Sequence, residues 1–243
     1  MKRAEYRIMY EIEDDFWWYV GMRQAVAGLL DRYVGPVGRI LDAGCGTGAN
    51  LQLLERYGRP LGIDLSAEAL TFATKRRPDA LARGSIGTLP FGSNTFDLVT
   101  SFEVIYHLAV EDDRAAIAEM ARVVRPGGWV LVRAPAYDWL RGAHDRAVQT
   151  RHRYTAGELR TKLGEAGLDV VRTSYLNSTL FPLAAAKRAL EWVARTPGDE
   201  SDLKPIAPSL NRLFTGALAA EGQVLSRVDL PFGLSVLGLA RKV

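Results

Sequence analysis

The chain has 243 residues, enough for one large domain or one and a half ordinary ones, and 48% hydrophobic with 24% charged residues is ordinary globular composition. A net charge of +3 is too small to argue for nucleic acid, and the single cysteine excludes an intramolecular disulfide and a multi-cysteine zinc site. No window reaches about 18 uncharged apolar residues, and Met1-Lys-Arg-Ala-Glu-Tyr-Arg7 is too charged for a signal peptide, so a cytoplasmic protein without stable membrane insertion is expected.

Residues 1–35 read as two amphipathic helical pieces, separated by the acidic and aromatic stretch Glu11-Ile-Glu-Asp-Asp-Phe-Trp-Trp-Tyr19. Ala25, Val26, Leu29, Leu30 and Tyr33 recur at helical spacing and should pack the second piece on a sheet. The aromatic cluster either staples this segment to the domain or caps a ligand.

Arg39-Ile-Leu-Asp-Ala-Gly-Cys-Gly-Thr-Gly-Ala-Asn-Leu51 is a short apolar run ending at Asp42, a loop with Gly44, Gly46 and Gly48 at alternate positions, and the start of a helix. Glycines there permit positive φ and let a ligand approach the backbone, while the helix presents unpaired N–H groups to it. Cys45 reads as packing within that loop. Pro60-Leu-Gly-Ile-Asp-Leu-Ser66 is a second apolar run ending on Asp64, placed where an acid meets a ribose in such βαβ units.

Ser66 suits an N-cap for the helix 67–76. Leu81–Ile86 holds a third strand and its exit, and 96–102 a fourth, apolar enough to be buried on both faces. A helix over 114–124 breaks at Arg125-Pro-Gly-Gly128, which turns into the fifth strand, 129–133. Residues 134–150 are polar and irregular, Thr155 and Glu158 form a capping box for the helix 156–166, and 168–175 alternates like a sixth strand. An insert of about sixty residues, with helices over 180–194 and 210–228 around a Pro/Gly/Asp-rich break at 197–208, precedes a last strand at 234–240.

DAGCGTG, GIDLS, LPFGSNTFDLV and RVVRPGGWVLV, in that order over about residues 39–134, resemble the class I S-adenosylmethionine-dependent methyltransferases of the small-molecule type. The resemblance implies an α/β, doubly wound, Rossmann-like fold with a seven-stranded, mostly parallel sheet whose last strand is antiparallel. It implies S-adenosyl-L-methionine as cofactor and a division into an N-terminal helical lid (1–35), a core (36–178 and 229–243) and a helical, acceptor-side insert (179–228). The insert could instead form a homodimer contact or a membrane-surface element.

The cofactor residues so implied are Asp42, Gly44, Gly46 and Gly48 in the loop, Asp64 and Leu65 at the ribose, and Ser85 and Ile86 at the adenine, with Phe102 and Glu103 flanking. The family commonly has an acid where Ser85 stands, and an uncharged hydroxyl should accept more weakly. Tyr10, Trp18 and Arg23 are lid candidates, and Arg23 could pair with the methionyl carboxylate. The three histidines, 107, 144 and 152, all lie in loops after the fourth and fifth strands. His107 and His152 are the candidates for acceptor binding or proton removal, with His144 third.

No metal is required. Carbon-5 pyrimidine methylation would want a cysteine elsewhere, Ser101-Phe-Glu-Val does not match the nucleobase amino-methylation pattern, and a basic nucleic-acid arm is missing, which favours a small-molecule acceptor: an oxygen or nitrogen of a natural product, sugar or lipid-linked intermediate. A histidine base would favour oxygen over nitrogen. Gly44, Gly46 and Ala49 also satisfy the G-x-G-x-x-A spacing of an NAD(P)-dependent oxidoreductase, but no Tyr-x-x-x-Lys pair accompanies them. A catalytically silent cofactor-binding partner protein would carry the same loop.

Overall fold

The structure is a computed structural model that describes residues 3–194 and 206–243. Most of the break at 197–208, and Arg195 before it, lie outside those residues. In chain order the elements are α1 (Arg3–Ile12), α2 (Trp17–Tyr33), β1 (Arg39–Ala43), α3 (Ala49–Leu54), β2 (Arg59–Asp64), α4 (Ala67–Arg76), β3 (Leu81–Arg83), β4 (Phe96–Phe102), α5 (Asp113–Val123) and β5 (Val124–Pro135). A 3₁₀ turn (Asp138–Leu140) follows, then α6 (Ala143–Ala147), α7 (Ala156–Glu165), β6 (Leu168–Leu176), α8 (Phe181–Ala194), α9 (Pro208–Leu225) and β7 (Ser235–Lys242).

One seven-stranded sheet has the order β3-β2-β1-β4-β5-β7-β6. The pairs from β3 to β5 are parallel, and β7 runs antiparallel to both β5 and β6. The antiparallel last strand is therefore as expected. Strand order reverses between β1 and β4, the switch point beside which open α/β sheets bind ligands at the strands' carboxyl ends.

Alternation along each strand feeds two apolar layers. Leu41, Val99, Val130 and Val132 face Ile117, Met120, Leu159 and Leu163 of α5 and α7. Ile40, Leu98, Leu131, Leu237 and Leu239 face Met22, Ala25, Leu29 and Leu30 of α2, with Leu218 and Leu225 of α9 behind them. The second N-terminal piece is thus mainly a sheet-covering helix, and α1, the turn after it and the first turns of α2 stand over the carboxyl edge. Helices α2 and α9 touch closely because Gly222 has no side chain: a Cβ there would lie 2.6 Å from Ala25 Cα.

Local differences have local causes. The fifth strand begins at Val124, since Phe96 pairs with Val124 before the Arg-Pro-Gly-Gly turn, with Gly127 at φ 76°, bulges out and leads to Leu98 opposite Trp129. The 134–150 segment holds a 3₁₀ turn and a short helix, tied by Asp145 Oδ2 accepting from Gly142 N–H at 2.7 Å. Thr155 caps α7 by accepting from Glu158 N–H at 3.2 Å, but the Glu158 carboxylate is drawn to His152 (2.8 Å) and leaves the reciprocal half of the capping box unmade.

Candidate active site

A cavity of about 800 Å³ opens along the carboxyl edge, within the ~300–1,000 Å³ of small-molecule sites. The β1–α3 loop forms its floor. Gly44, Gly46 and Gly48 hold φ of 91°, 55° and 90°, and a Cβ on Gly44 would stand 2.3 Å from Val104 Cγ2. Asp64 binds the loop directly: its Oδ2 accepts from Gly46 N–H at 2.9 Å and its Oδ1 from Ser66 N–H at 2.8 Å. Burial raises the Asp64 carboxyl above its usual range while these backbone donors pull it down.

Gly44, Gly46, Asp64, Leu65, Ser85, Ile86, Phe102, Glu103, Trp18, Arg23 and His107 all stand on the cavity wall. Gly48 lies behind it as the N-cap residue of α3. Asp42 is also behind the wall and 1% exposed; Thr100 Oγ1 donates to its Oδ1 at 2.7 Å, and its Oδ2 has no hydrogen-bond partner among the described residues. Burial pushes its carboxyl up to about 7. Ser85 Oγ already accepts from Gly87 N–H at 3.1 Å. Cys45 is buried and its thiol is pushed up by that burial, which suits packing within the loop.

Two residues singled out in the sequence stand elsewhere. Tyr10 turns from the cavity to Phe72 (ring centroids 5.0 Å apart), with the Arg76 guanidinium 4.7 Å from its ring, and so fastens α1 to α4. His152 is also off the wall: its Nδ1 lies 2.8 Å from Asp138 and its Nε2 2.8 Å from Glu158, a pairing that holds the 136–158 segment. A ring with both nitrogens so engaged, outside the cavity, has no route to an acceptor. The structure thus sets His152 apart from the other site candidates.

The cover over the loop comes from residues the sequence reading did not single out. Glu5, Tyr6 and Met9 of α1 line the cavity, and Glu13 after it accepts from Thr47 Oγ1 within the glycine loop and from Arg76 Nη2 at 3.0 Å. Arg23 is spent in part on this turn, donating to the Glu13 carbonyl at 2.6 Å. Burial raises the Glu13 carboxyl against the opposing Thr47 bond and Arg76 charge. Arg133, 5% exposed, joins Glu103 at 3.0 Å and lies 5.5 Å from the Trp18 ring centroid. The signal in sequence was slight: Thr47 sits inside the glycine motif and Glu13 inside the acidic stretch, but nothing pairs them.

The far half is walled by Leu140, by Leu180, Leu183 and Ala184 at the start of α8, and by Phe214 of α9. His107, His144 and Asn177 add polar groups there. Burial depresses the His107 imidazole to about 4, so it is neutral at pH 7. Its Nδ1 accepts from Ala109 N–H at 3.0 Å, which places the proton of the neutral ring on Nε2. His144 reaches the cavity with Nδ1 buried and unpartnered among the described residues. Asp145 beside it grips Arg153 at 2.8 and 2.9 Å.

The open glycine cradle, the orphaned Asp42 oxygen beneath it and the Asp64 carboxylate fit an amino-acid-bearing nucleoside. Comparison with known proteins points the same way. A family described as methyltransferase domain matches residues 41–132. A Mycolicibacterium smegmatis protein named a probable S-adenosylmethionine-dependent methyltransferase is 30% identical over 207 residues, covering 79% of each chain. The Streptomyces fradiae dTDP-3-amino-3,6-dideoxy-alpha-D-glucopyranose N,N-dimethyltransferase is 29% identical, covering 82% of this chain and 84% of its own.

Other relatives match over less than half of this chain. An uncharacterized methyltransferase of Schizosaccharomyces pombe is 38% identical over 41% of this chain, which spans 40% of that relative's length. Among solved structures, Haemonchus contortus phosphoethanolamine N-methyltransferase 2 in complex with S-adenosyl-L-methionine superposes with a TM-score of 0.59 at 19% identity, covering 90% of this chain and 52% of that one. At that identity the likeness is one of fold.

Proposed function

Because the chain belongs to the S-adenosylmethionine-dependent methyltransferases, we propose that it methylates an oxygen or nitrogen of a small, partly apolar molecule held between the glycine loop and α8. The observation that carries this reading is the continuity of the cavity: one end has the glycine cradle and Asp64, the other a largely apolar wall with a few polar groups. That is the composition of a small-molecule site.

The cofactor, when bound, supplies an electrophilic methyl on sulfonium sulfur. The protein's own work is to bind, orient and dry the site. Gly44, Gly46 and Asp64 hold the cofactor's amino-acid and ribose ends, and Ser85 and Ile86 meet its base. Helix α1 acts as the cofactor lid, with Trp17, Trp18 and Tyr19 excluding water between the halves. Helices α8 and α9 act as the acceptor cap. His107 donates from Nε2 to the acceptor, and His144 Nδ1 takes the proton when the acceptor is a hydroxyl; an amine presenting a lone pair needs no such step.

Transfer of labelled methyl from S-adenosylmethionine to a panel of hydroxyl and amino small molecules, including dTDP-amino sugars, tests the reading. Turnover of at least one member, slowed by His144→Ala more than by His152→Ala, is expected. Methylation of protein or nucleic acid alone would contradict it.

A further inference from the structure

Asn177 follows the last residue of β6, at the sheet edge where β4 and β5 also end. It is 1% exposed, it stands on the cavity wall, and neither its Oδ1 nor its Nδ2 has a hydrogen-bond partner among the described residues. A primary amide carries two donors and an acceptor, and burying all of them unmade is costly. Its φ of 59° is left-handed, which asparagine tolerates better than most residues. That conformation alone would be met by a glycine or by a side chain turned to solvent, so it does not account for an amide packed against the cavity.

The position is held from three sides. Glu221 of α9, 9% exposed, accepts through Oε2 from Ser178 N–H at 2.9 Å, Thr179 N–H at 3.1 Å and Thr179 Oγ1 at 3.0 Å. Ser178 Oγ donates to the Phe232 carbonyl ahead of β7, and Leu176 pairs with Ser235 within the sheet. An orphaned amide on so fixed a backbone is preorganised for a ligand rather than for its own chain.

Its surroundings narrow the ligand. Three arginines of the wall each face a carboxylate: Arg133 with Glu103, Arg153 with Asp145, and Arg188 with Glu191. Those three charges are compensated within the protein, while Arg23 and Lys187 also stand on the wall. Leu180 and Ala184 give an apolar flank, and Leu183, 69% exposed, carries that flank to the surface. We propose that Asn177 is the specificity-determining residue of the acceptor half: its amide binds neighbouring hydroxyls of a sugar ring whose apolar substituent lies along the start of α8. The proposal rests on the methyltransferase reading of this cavity and names the acceptor class within it.

The test is binding, independent of turnover. Protein loaded with S-adenosylhomocysteine is titrated calorimetrically with octyl β-D-glucoside below its micelle concentration, and with octanoate, which has the tail without the ring. Wild type should bind the glucoside. Asn177→Ala, and Asn177→Gly, which keeps the left-handed backbone available, should each bind it at least about tenfold more weakly. Octanoate binding and S-adenosylhomocysteine affinity should stay the same in all three, which shows that the variants fold. The proposal is overturned by equal glucoside binding in wild type and variants, by parallel loss of both probes in the variants, or by a wild type that does not bind the glucoside. Failure of the methyltransferase reading would show separately, as wild type not taking up S-adenosylhomocysteine.

Discussion

Asp64 ties two backbone turns together and offers the remainder of its carboxylate to the cavity. Its replacement by alanine should weaken S-adenosylmethionine binding by about 1–3 kcal/mol, read by calorimetry, and unchanged affinity would remove it from the site. Asp42 makes a pH prediction. Its folded-state value of about 7 exceeds the ordinary 3.8, so the folded protein holds a proton there that the unfolded chain releases. Its contribution to stability is present below the unfolded value and is lost as pH rises through the folded one. Asp42→Asn should therefore gain stability relative to wild type between about pH 4 and 7 and level off above, by on the order of a few kcal/mol. Melting temperatures of the two proteins across that range check this, and a constant difference would contradict it. Among the histidines, geometry reverses the order of the sequence reading. His152→Ala should lower the melting temperature with little effect on the rate, because its ring spans Asp138 and Glu158 outside the cavity.

Helix α1 is the element whose role depends most on one buried contact. The Glu13 and Arg76 side chains are only 6% and 7% exposed, and Thr47 brings the glycine loop into the same cluster. Glu13→Ala leaves Arg76 with its exposed partner Asp14 and removes the anchor of the lid on the loop. Loss of one partner of a buried pair costs on the order of 3 kcal/mol. Faster amide exchange over residues 3–12 and faster cofactor dissociation should follow, with the sheet unchanged; protection at wild-type levels would refute the anchoring role. This latch shows where sequence legibility ended. The glycine loop and Asp64 were readable because their chemistry lies in two short stretches with fixed spacing. Glu13 meets Thr47 across 34 positions, and Asn177 gains its place from contacts with α9 and β7, which no periodic pattern encodes. His144 and His152 lie in one irregular segment, and the Asp145–Arg153 and His152–Glu158 pairs are part of how it folds.

At the scale of the molecule, the switch in strand order between β1 and β4 makes the groove, the loop after β1 and the acid after β2 furnish its cofactor end, and the segments after β5 and β6 furnish the acceptor end. The sheet was legible because its apolar runs and turn residues agree along the chain. The insert was legible as helices but not in its use, since both α8 and α9 are apolar on more than one face. No helix among the described residues is long and apolar enough to cross a membrane. The most direct test is a crystal structure of the protein with S-adenosylhomocysteine bound. The ligand's ribose should rest on the Asp64 carboxylate and its homocysteine end on Gly44 and Gly46, with sulfur facing the space toward His107, His144 and Asn177. A nucleoside seated against α8 instead, or a glycine loop closed off by α1 side chains in the liganded protein, would contradict the account.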